Sequence, residues 1–232
     1  MKCIKKSLLT ISLGIFLTTN SYSEVLINPS WVNKTGKINF GGNFVTSEVE
    51  YEIENLSRDI ERKIVGFEAG VPIDGKTDAV FQFGLVNEAD YENVNEDGDG
   101  YIFGAGFRRL LVSRGTLNVI GYGVLTINKE EVDSVSNGIK YKSDFDLTEL
   151  QGGIVGVVQL EPLLSIYGGG EIIPYSNGSI KITNTPKIDY EREDALNLRI
   201  GAQYLLDGLI GLRGELALMS EETLTFSGNY SF

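Results

Sequence analysis

An acidic run near the middle of the chain has the composition of a cation site. Asn95, Asp97 and Asp99 place side-chain oxygens at alternate positions, with glycines between and after them. Calcium-binding loops begin with this spacing of oxygen ligands. Such a loop also needs a bidentate carboxylate further along, and Gly106 occupies that position here. The pattern therefore predicts either a weak Ca²⁺ site in an external loop or, as the commoner case, a solvated acidic turn.

The side chains that most enzymes use for acid–base or nucleophilic work are missing. The sequence contains no His, and its single Cys is Cys3. Histidine is the commonest general base and metal ligand, so catalytic triads built on His are excluded. Asp97 and Asp99 have the residue types of a glycosidase acid/base pair, but neighbouring acids on a loop are common. The sequence predicts no catalytic residues and a protein that is not an enzyme.

The first 23 residues have the three parts of an export signal. Lys2, Lys5 and Lys6 form a basic start, residues 8–17 are apolar, and Ser21 and Ser23 are small residues where a signal peptidase reads the chain. The apolar run is too short to span a bilayer as a helix. We therefore predict a signal peptide over residues 1–23 and a mature domain over residues 24–232.

The mature chain is strongly acidic. Removing the three lysines of the leader from 20 basic residues leaves 17 against 32 acidic ones, a net charge of −15. This balance disfavours nucleic acid as a partner. It favours cationic partners or divalent ions.

The charged residues stand in segments that alternate between apolar and polar side chains. In residues 223–232, Leu224, Phe226, Tyr230 and Phe232 share one parity, and Thr, Ser and Asn share the other. Such alternation is typical of a strand with one apolar face. Nine further segments show the pattern: 38–44, 65–71, 80–86, 101–108, 117–127, 149–160, 164–172, 196–204 and 210–218. The run 117–127 is ambiguous because both of its parities are apolar or Gly. The period of two predicts an all-β protein of about ten strands.

Short and long connections alternate between these segments. Tight turns fall at residues 72–77, 113–115, 161–162 and 207–208, and long acidic connections fall at 46–60, 88–99, 128–147 and 174–194. Transmembrane barrels have short periplasmic turns and longer external loops. An apolar run long enough for a membrane helix is missing after the leader, so a membrane location requires a closed barrel. We predict an antiparallel up-and-down transmembrane β-barrel with four long acidic external loops.

A soluble barrel with an apolar interior is the structural alternative. The wall of such a barrel would carry many Lys and Glu residues. Here the interior of each predicted strand lacks Lys, and the polar parity is mostly Gly, Asn, Gln and Ser. This composition favours a narrow polar lumen and an outer surface that faces lipid.

Seven charged side chains share the polar parity and are predicted to lie in the lumen. They are Glu68, Arg108, Glu149, Glu171, Arg199, Arg213 and Glu215. Buried charges need partners, so the set either forms an ion-paired plug or acts as the filter of a narrow pore. Barrels of about eight strands are filled by side chains, whereas open porins have about sixteen or more. About ten strands therefore favours the plug.

The leader, the alternating strands, the unequal connections and the terminal Phe232 together resemble small outer-membrane β-barrels of Gram-negative bacteria. The resemblance is to opacity or surface-antigen proteins of eight to ten strands. It implies contact with outer-membrane lipid and lipopolysaccharide, and it marks Tyr230 and Phe232 as a signal for the barrel assembly machinery. The outer-membrane proteases, palmitoyl transferases and lipid A deacylases of similar size depend on His, so their sites have no counterpart here. We expect a surface structural or adhesin-like protein that binds a host or cell-surface ligand, with a narrow porin-like channel as the alternative.

Overall fold

The computed structural model describes residues 37–53, 56–91, 94–136, 139–182, 185–206, 209–219 and 221–231. The predicted signal peptide lies outside these residues. The chain forms eleven strands: β1 (Asn39–Ile53), β2 (Leu56–Pro72), β3 (Thr77–Tyr91), β4 (Val94–Arg114), β5 (Leu117–Ser136), β6 (Ile139–Glu161), β7 (Leu164–Ile182), β8 (Ile188–Arg192), β9 (Leu196–Leu205), β10 (Ile210–Met219) and β11 (Glu221–Ser231). In the described part of the chain, no helix is long and apolar enough to cross a membrane.

Ten of the strands form a closed antiparallel barrel, which confirms the predicted fold class. Neighbours follow the order β11-β10-β9-β7-β6-β5-β4-β3-β2-β1. The first and last strands then pair with each other, from Asn39 opposite Ser231 to Val49 opposite Glu221. This closure pairs the two strands that would otherwise be the open edges of the ten-stranded sheet, so their backbone groups find partners within it.

The outward face of the barrel carries a continuous apolar band. Its members are the large side chains of the apolar parity, and typical examples are Phe44, Phe67, Phe83, Phe103 and Ile200, which are all more than 40% exposed. Soluble monomers rarely expose apolar patches of this extent. An apolar band on a closed barrel is instead the surface that contacts lipid.

The four predicted long loops are wrong, because most of their residues continue the strands. The connection predicted at 128–147 is a paired hairpin in which β5 and β6 stay in register up to Ser136 opposite Ile139. The segments 46–60 and 88–99 are likewise almost entirely strand, and 174–194 contains the end of β7 and all of β8. The polarity of the two faces is exchanged in these parts, which explains the error. Val132 points inward while Glu131 and Asp133 point outward, so the charged residues of this segment belong to the outer face of a strand and not to a loop.

The barrel therefore has two tiers of opposite polarity. The membrane tier carries the apolar band outside, and inside it the charged and polar side chains of the lumen together with a smaller apolar cluster that includes Ile120, Val155 and Val157. The outer tier consists of β8 and the parts of β1–β7 beyond that band. The inward side chains of the outer tier and of the top of the band form one apolar cluster: Val45, Val49, Tyr51, Ile60, Ile64, Val86, Ala89, Ile102, Val132, Leu147, Ile180 and Tyr190. The outward side chains of the outer tier make ion pairs, such as Lys63–Glu88 at 2.7 Å and Lys129–Asp146 at 2.8 Å. The outer tier is thus built like a water-soluble barrel with a hydrophobic core.

The number of strands changes between the tiers. The wall strands β9, β10 and β11 end near the top of the apolar band, where Ile172 of β7 faces Leu196 and Val49 of β1 faces Glu221. Above that level, β8 occupies the gap and pairs with both β7 and β1. The outer tier therefore has eight strands where the membrane tier has ten.

Candidate functional site: the charged lumen

The structure places all seven predicted lumen residues inside the barrel. None of the seven is more than 6% exposed. They stand on six different strands and point to a common axis because inward parity is kept along each strand. The set forms one larger network and one smaller cluster.

Arg199 on β9 is the centre of the larger network. Its Nη1 donates to Glu215 at 2.6 Å, and its Nε and Nη2 donate to Glu171 at 3.1 and 2.9 Å. Nη2 also reaches Glu221 at 3.3 Å. Planar guanidinium groups suit such bidentate contacts with carboxylates. One cation therefore binds three buried carboxylates from three strands.

Two tyrosines complete the network and fill the space beside it. Tyr122 donates its hydroxyl proton to Glu171 at 2.6 Å, and Tyr167 donates to Glu215 at 2.5 Å. Each ring lies over an inward glycine, since a Cβ on Gly153 would come within 2.8 Å of the Tyr122 ring and one on Gly201 would overlap the Tyr167 ring. These inward glycines are therefore required for the packing of the lumen.

The smaller cluster lies nearer the end of the barrel at which β1 begins and β11 ends. Arg108 donates to Glu68 at 2.7 Å and to Asp78 at 3.1 Å. Between the two groups, Arg213 donates to Ser227 at 2.8 Å and contacts Glu215 at 3.4 Å. The lumen is thus filled by bonded side chains from one cluster to the other.

Five buried charged residues were missed by the sequence analysis: Arg62, Asp78, Glu130, Arg192 and Glu221. Arg62 bonds Glu130 at 2.7 Å inside the outer tier. Arg192 joins Glu149, at 3.4 Å, to Glu221. All five lie in segments that were predicted as connections or beside them. The signal was present in β2, where the inward parity of Glu68 continues by steps of two to Arg62.

The buried charges do not balance. The described part of the lumen holds five guanidinium groups, those of Arg62, Arg108, Arg192, Arg199 and Arg213, against seven carboxyl groups, those of Glu68, Asp78, Glu130, Glu149, Glu171, Glu215 and Glu221. Charge in a low-dielectric interior attracts a counter-ion strongly. The lumen therefore favours cations over anions.

The outward face of the wall, where the membrane tier meets the outer tier, carries a second group of acids on β1, β2 and β11. Glu48 lies opposite Glu61 on one side and Glu222 on the other. Burial, and then repulsion by Glu61, Asp59 and Glu222, raises the pKa of Glu48. A carboxyl whose pKa is raised by folding destabilises the fold in its charged form, so this part of the wall becomes more stable as pH falls through the raised pKa. We call Glu48, Glu61 and Glu222 the acidic wall.

The predicted calcium residues do not lie in a loop. Asn95, Asp97 and Asp99 belong to β4, so they stand at alternate positions of an extended chain that cannot wrap an ion. Among the residues whose positions are described, no group of three or more His, Cys, Asp or Glu side chains is arranged to hold a metal ion. The Ca²⁺ site at Asn95, Asp97 and Asp99 stays a prediction from the sequence.

The predicted assembly signal is partly described. Tyr230 points outward, is 42% exposed and lies opposite Phe40 across the β1–β11 seam. Phe232 lies outside the described residues. The side chain of Tyr230 is thus placed on the surface, beside the strand pair that closes the barrel.

Comparisons with known proteins find similarity in structure only. No protein-family model matches the chain, and no curated protein matches it in sequence. The outer-membrane protease OmpT from Escherichia coli superposes with a TM-score of 0.58 at 8% identity, covering 88% of this chain and 100% of that chain. The transport unit of the autotransporter AIDA-I from Escherichia coli gives 0.53 at 10% identity, covering 96% and 97%. An outer-membrane channel from Pseudomonas putida gives 0.50 at 9% identity, covering 90% and 100%.

Identities this low show the fold alone, and these three proteins differ in what their names say they do. In this chain the superposed part is a closed antiparallel sheet with an apolar outer band. The protein has the fold of the outer-membrane β-barrels of Gram-negative bacteria.

Proposed function

We propose that the protein is an exported, non-enzymatic outer-membrane barrel that is closed to ions and presents its outer tier as an interaction surface. The observation that carries this proposal is the exchange of polarity between the tiers. A barrel that served only as a pore would have no use for a hydrophobic core above its lumen. A rigid eight-stranded barrel outside the membrane is instead a platform for contacts with other molecules.

Two barriers in series support a closed lumen. In the membrane tier, Arg199, Arg213 and Arg108 are held by bonded carboxylates across the interior. In the outer tier, the members of the apolar cluster are at most 6% exposed. A hydrophobic constriction excludes water and therefore ions. Passage along the axis would require both barriers to open.

Recording from planar bilayers tests the closed state. We expect no discrete conductance steps from protein whose folding has been verified by heat-modifiable gel migration, because both barriers block the axis. The Arg199→Gln variant should stay silent as well, since the apolar cluster is unchanged. Reproducible steps from the folded protein, altered in size by Arg199→Gln, would contradict the proposal and establish the narrow channel in its place.

The acidic wall supports a cationic partner for the outer tier. Glutamates that face each other across strands repel, at a cost in stability. A bound cation removes that cost. The partner classes that fit are a basic ligand on a host or neighbouring cell, and lipopolysaccharide phosphates bridged by Mg²⁺ or Ca²⁺. Nucleic acid does not fit a surface of this sign.

Neutralising the acidic wall should weaken binding to a basic polypeptide. We expect the Glu48→Gln/Glu61→Gln/Glu222→Gln variant to bind poly-lysine at least about fivefold more weakly at low salt, where exposed charges are little screened. Binding by the unmodified protein should also weaken as pH falls through the raised pKa of Glu48. Surface plasmon resonance on immobilised barrel measures both effects.

The matched control removes three outward acids that already have lysine partners. Glu88, Glu131 and Asp146 are paired with Lys63, Lys142 and Lys129. The Glu88→Gln/Glu131→Gln/Asp146→Asn variant has the same net charge as the test variant. If it loses as much affinity, net charge and not the acidic wall determines binding, and the proposed surface is wrong.

A further inference from the structure

The strand β8 is attached to the barrel much less extensively than its neighbours. It shares three residue pairs with β7, from Gly178–Tyr190 to Ile180–Ile188, and three with β1, from Tyr51–Arg192 to Ile53–Tyr190. By contrast, β5 pairs with β6 along its whole length. Local opening begins where the cooperative contacts are fewest. The wall of the outer tier therefore has one weak element.

The outer face of β8 favours its separation from β1. Glu191 lies directly opposite Glu52 across the β1–β8 pair. Like charges in facing positions are destabilising. An ion pair on this face joins Asp189 to Lys187, the residue before the strand, at 3.9 Å, and both side chains are exposed. It does not attach β8 to the rest of the wall.

The inner face of β8 holds the strand in place. The Tyr190 ring fills the space above Gly178 and meets the Tyr51 ring edge-on at 5.4 Å. Arg192 reaches into the lumen, where it contacts Glu149 and Glu221. Ile188 also packs against the apolar cluster, and the amide of Glu193, directly after the strand, donates to the Glu50 carbonyl at 3.2 Å. Besides its six backbone pairs, β8 is thus held by a few side chains, of which Arg192 is the one that bonds to lumen carboxylates.

The wall beside β8 is incomplete. Between the last β7–β9 pair and the first β7–β8 pair, the amide of Ile173 donates to the Ala195 carbonyl at 2.8 Å and the amide of Arg192 donates to the Ser176 hydroxyl at 3.2 Å. Cavities of about 550 and 450 Å³ lie next to β8, and Ser176, Asn177 and Glu191 line both. A molecule approaching from outside can therefore come close to Arg192 without crossing the apolar cluster.

The two carboxylates that bind Arg192 keep other partners of their own. Glu149 accepts hydrogen bonds from Gln151 at 3.0 Å and Ser176 at 3.1 Å. Glu221 accepts from Arg199 at 3.3 Å. Their positions are therefore set by β6, β7, β9 and β11 and not by β8. With β8 displaced, they form a fixed pair of anions at the side of the lumen.

We propose that β8 is a releasable strap, and that its release opens a side entrance where Glu149 and Glu221 bind a guanidinium or alkylammonium cation in place of Arg192. With the strap in place, the guanidinium of Arg192 fills this cation site itself. Arg108 and Arg213 stay in place below it, so the barrel remains closed along its axis. This site is separate from the acidic wall, and it survives if the proposed surface function fails. A cation binds more tightly to the released state and so shifts the population toward it.

A buried cysteine reports on the entrance. Thr223 points into the lumen, is fully buried and donates to Glu221 at 3.3 Å. The Thr223→Cys variant, made with Cys3→Ser, carries a single thiol. The rate at which this thiol is modified is measured with two methanethiosulfonate reagents of similar size, one carrying a cationic trimethylammonium group and the other an anionic sulfonate group. We expect slow labelling with the strap intact, at least tenfold faster labelling by the cationic reagent after Arg192→Gln, and a smaller acceleration by the anionic one.

The matched control removes a different buried arginine. Arg62 is as buried as Arg192 and also bonds a carboxylate, but it stands on β2, which pairs along its length with β1 and β3. Arg62→Gln should leave the labelling rate within about twofold. Equal acceleration in both variants would mean general loosening of the barrel and would overturn the strap. So would unchanged labelling in a folded Arg192→Gln protein.

Agmatine, which carries a guanidinium and an amine, tests the cation site itself. It should slow cationic labelling of the Thr223→Cys/Arg192→Gln protein in a saturable way, because it occupies the position left by the arginine. Loss of this protection in the added Glu149→Gln variant is the expected result. Failure of agmatine to protect would overturn the site. Conductance is recorded separately, so that opening of the lumen along the barrel axis is distinguished from release of β8.

Discussion

Replacing Arg199 with Met is expected to lower the free energy of unfolding by about 3–5 kcal/mol, the usual effect of removing one partner from a buried ion pair. The reason is that Glu171, Glu215 and Glu221 would all lose the same cation while remaining at most 2% exposed. The aliphatic part of Met fills most of the vacated space, so lost packing contributes little. The measurement is urea unfolding in phospholipid vesicles, followed by gel mobility.

The control for Arg199→Met is Lys63→Met, which breaks an ion pair of similar length. Lys63 and Glu88 are about half exposed, and pairs of this kind contribute about 0–1 kcal/mol. If Arg199→Met does not fold, the Arg199→Met/Glu171→Gln double variant should recover folded protein, because it removes one of the uncompensated charges. A folded Arg199→Met protein as stable as Lys63→Met would show that the lumen network does not hold the barrel together.

Sequence periodicity was sufficient for the membrane tier. Residues such as Phe67 and Glu68 obey one rule, apolar outward and polar inward, so the strand positions and the lumen residues followed from parity. In the ambiguous run 117–127, the neighbouring strands and not the composition of the run determine which side chains face the lumen. Tyr122 and Val124 point inward because Arg108 and Gly106 of β4 face them across the pair.

The outer tier escaped prediction because the same alternation has the opposite meaning there. Once the surroundings change from lipid to water, the charged parity faces outward and the apolar parity forms the core. The rule that apolar side chains point outward and polar ones inward therefore predicted loops where the chain forms well-paired strands. The short strand β8 could not be predicted from the sequence for another reason. Its five residues are placed by the ends of β9 and β11, and those ends depend on tertiary pairing.

Two adjacent glycines allow a sharper test of how the lumen is packed. Gly169 points inward, and a Cβ there would overlap the Ile154 carbonyl oxygen and lie 2.7 Å from the Val155 Cα. Gly170 points outward, and a Cβ there would come no nearer than 4.0 Å to the Asn197 carbonyl oxygen. The obstacle at Gly169 is backbone, which cannot rotate away as a side chain can.

We expect Gly169→Ala to destabilise the barrel by about 1–3 kcal/mol, as overpacked sites do, and Gly170→Ala to be neutral or to stabilise it by up to about 1 kcal/mol. Both changes add one methyl group to β7, so strand propensity and the loss of unfolded-state freedom are the same in each. The difference between them, measured by urea unfolding in vesicles, isolates the inward contact. Equal effects would mean that the close approach of the Ile154 and Val155 backbone does not require a glycine at position 169.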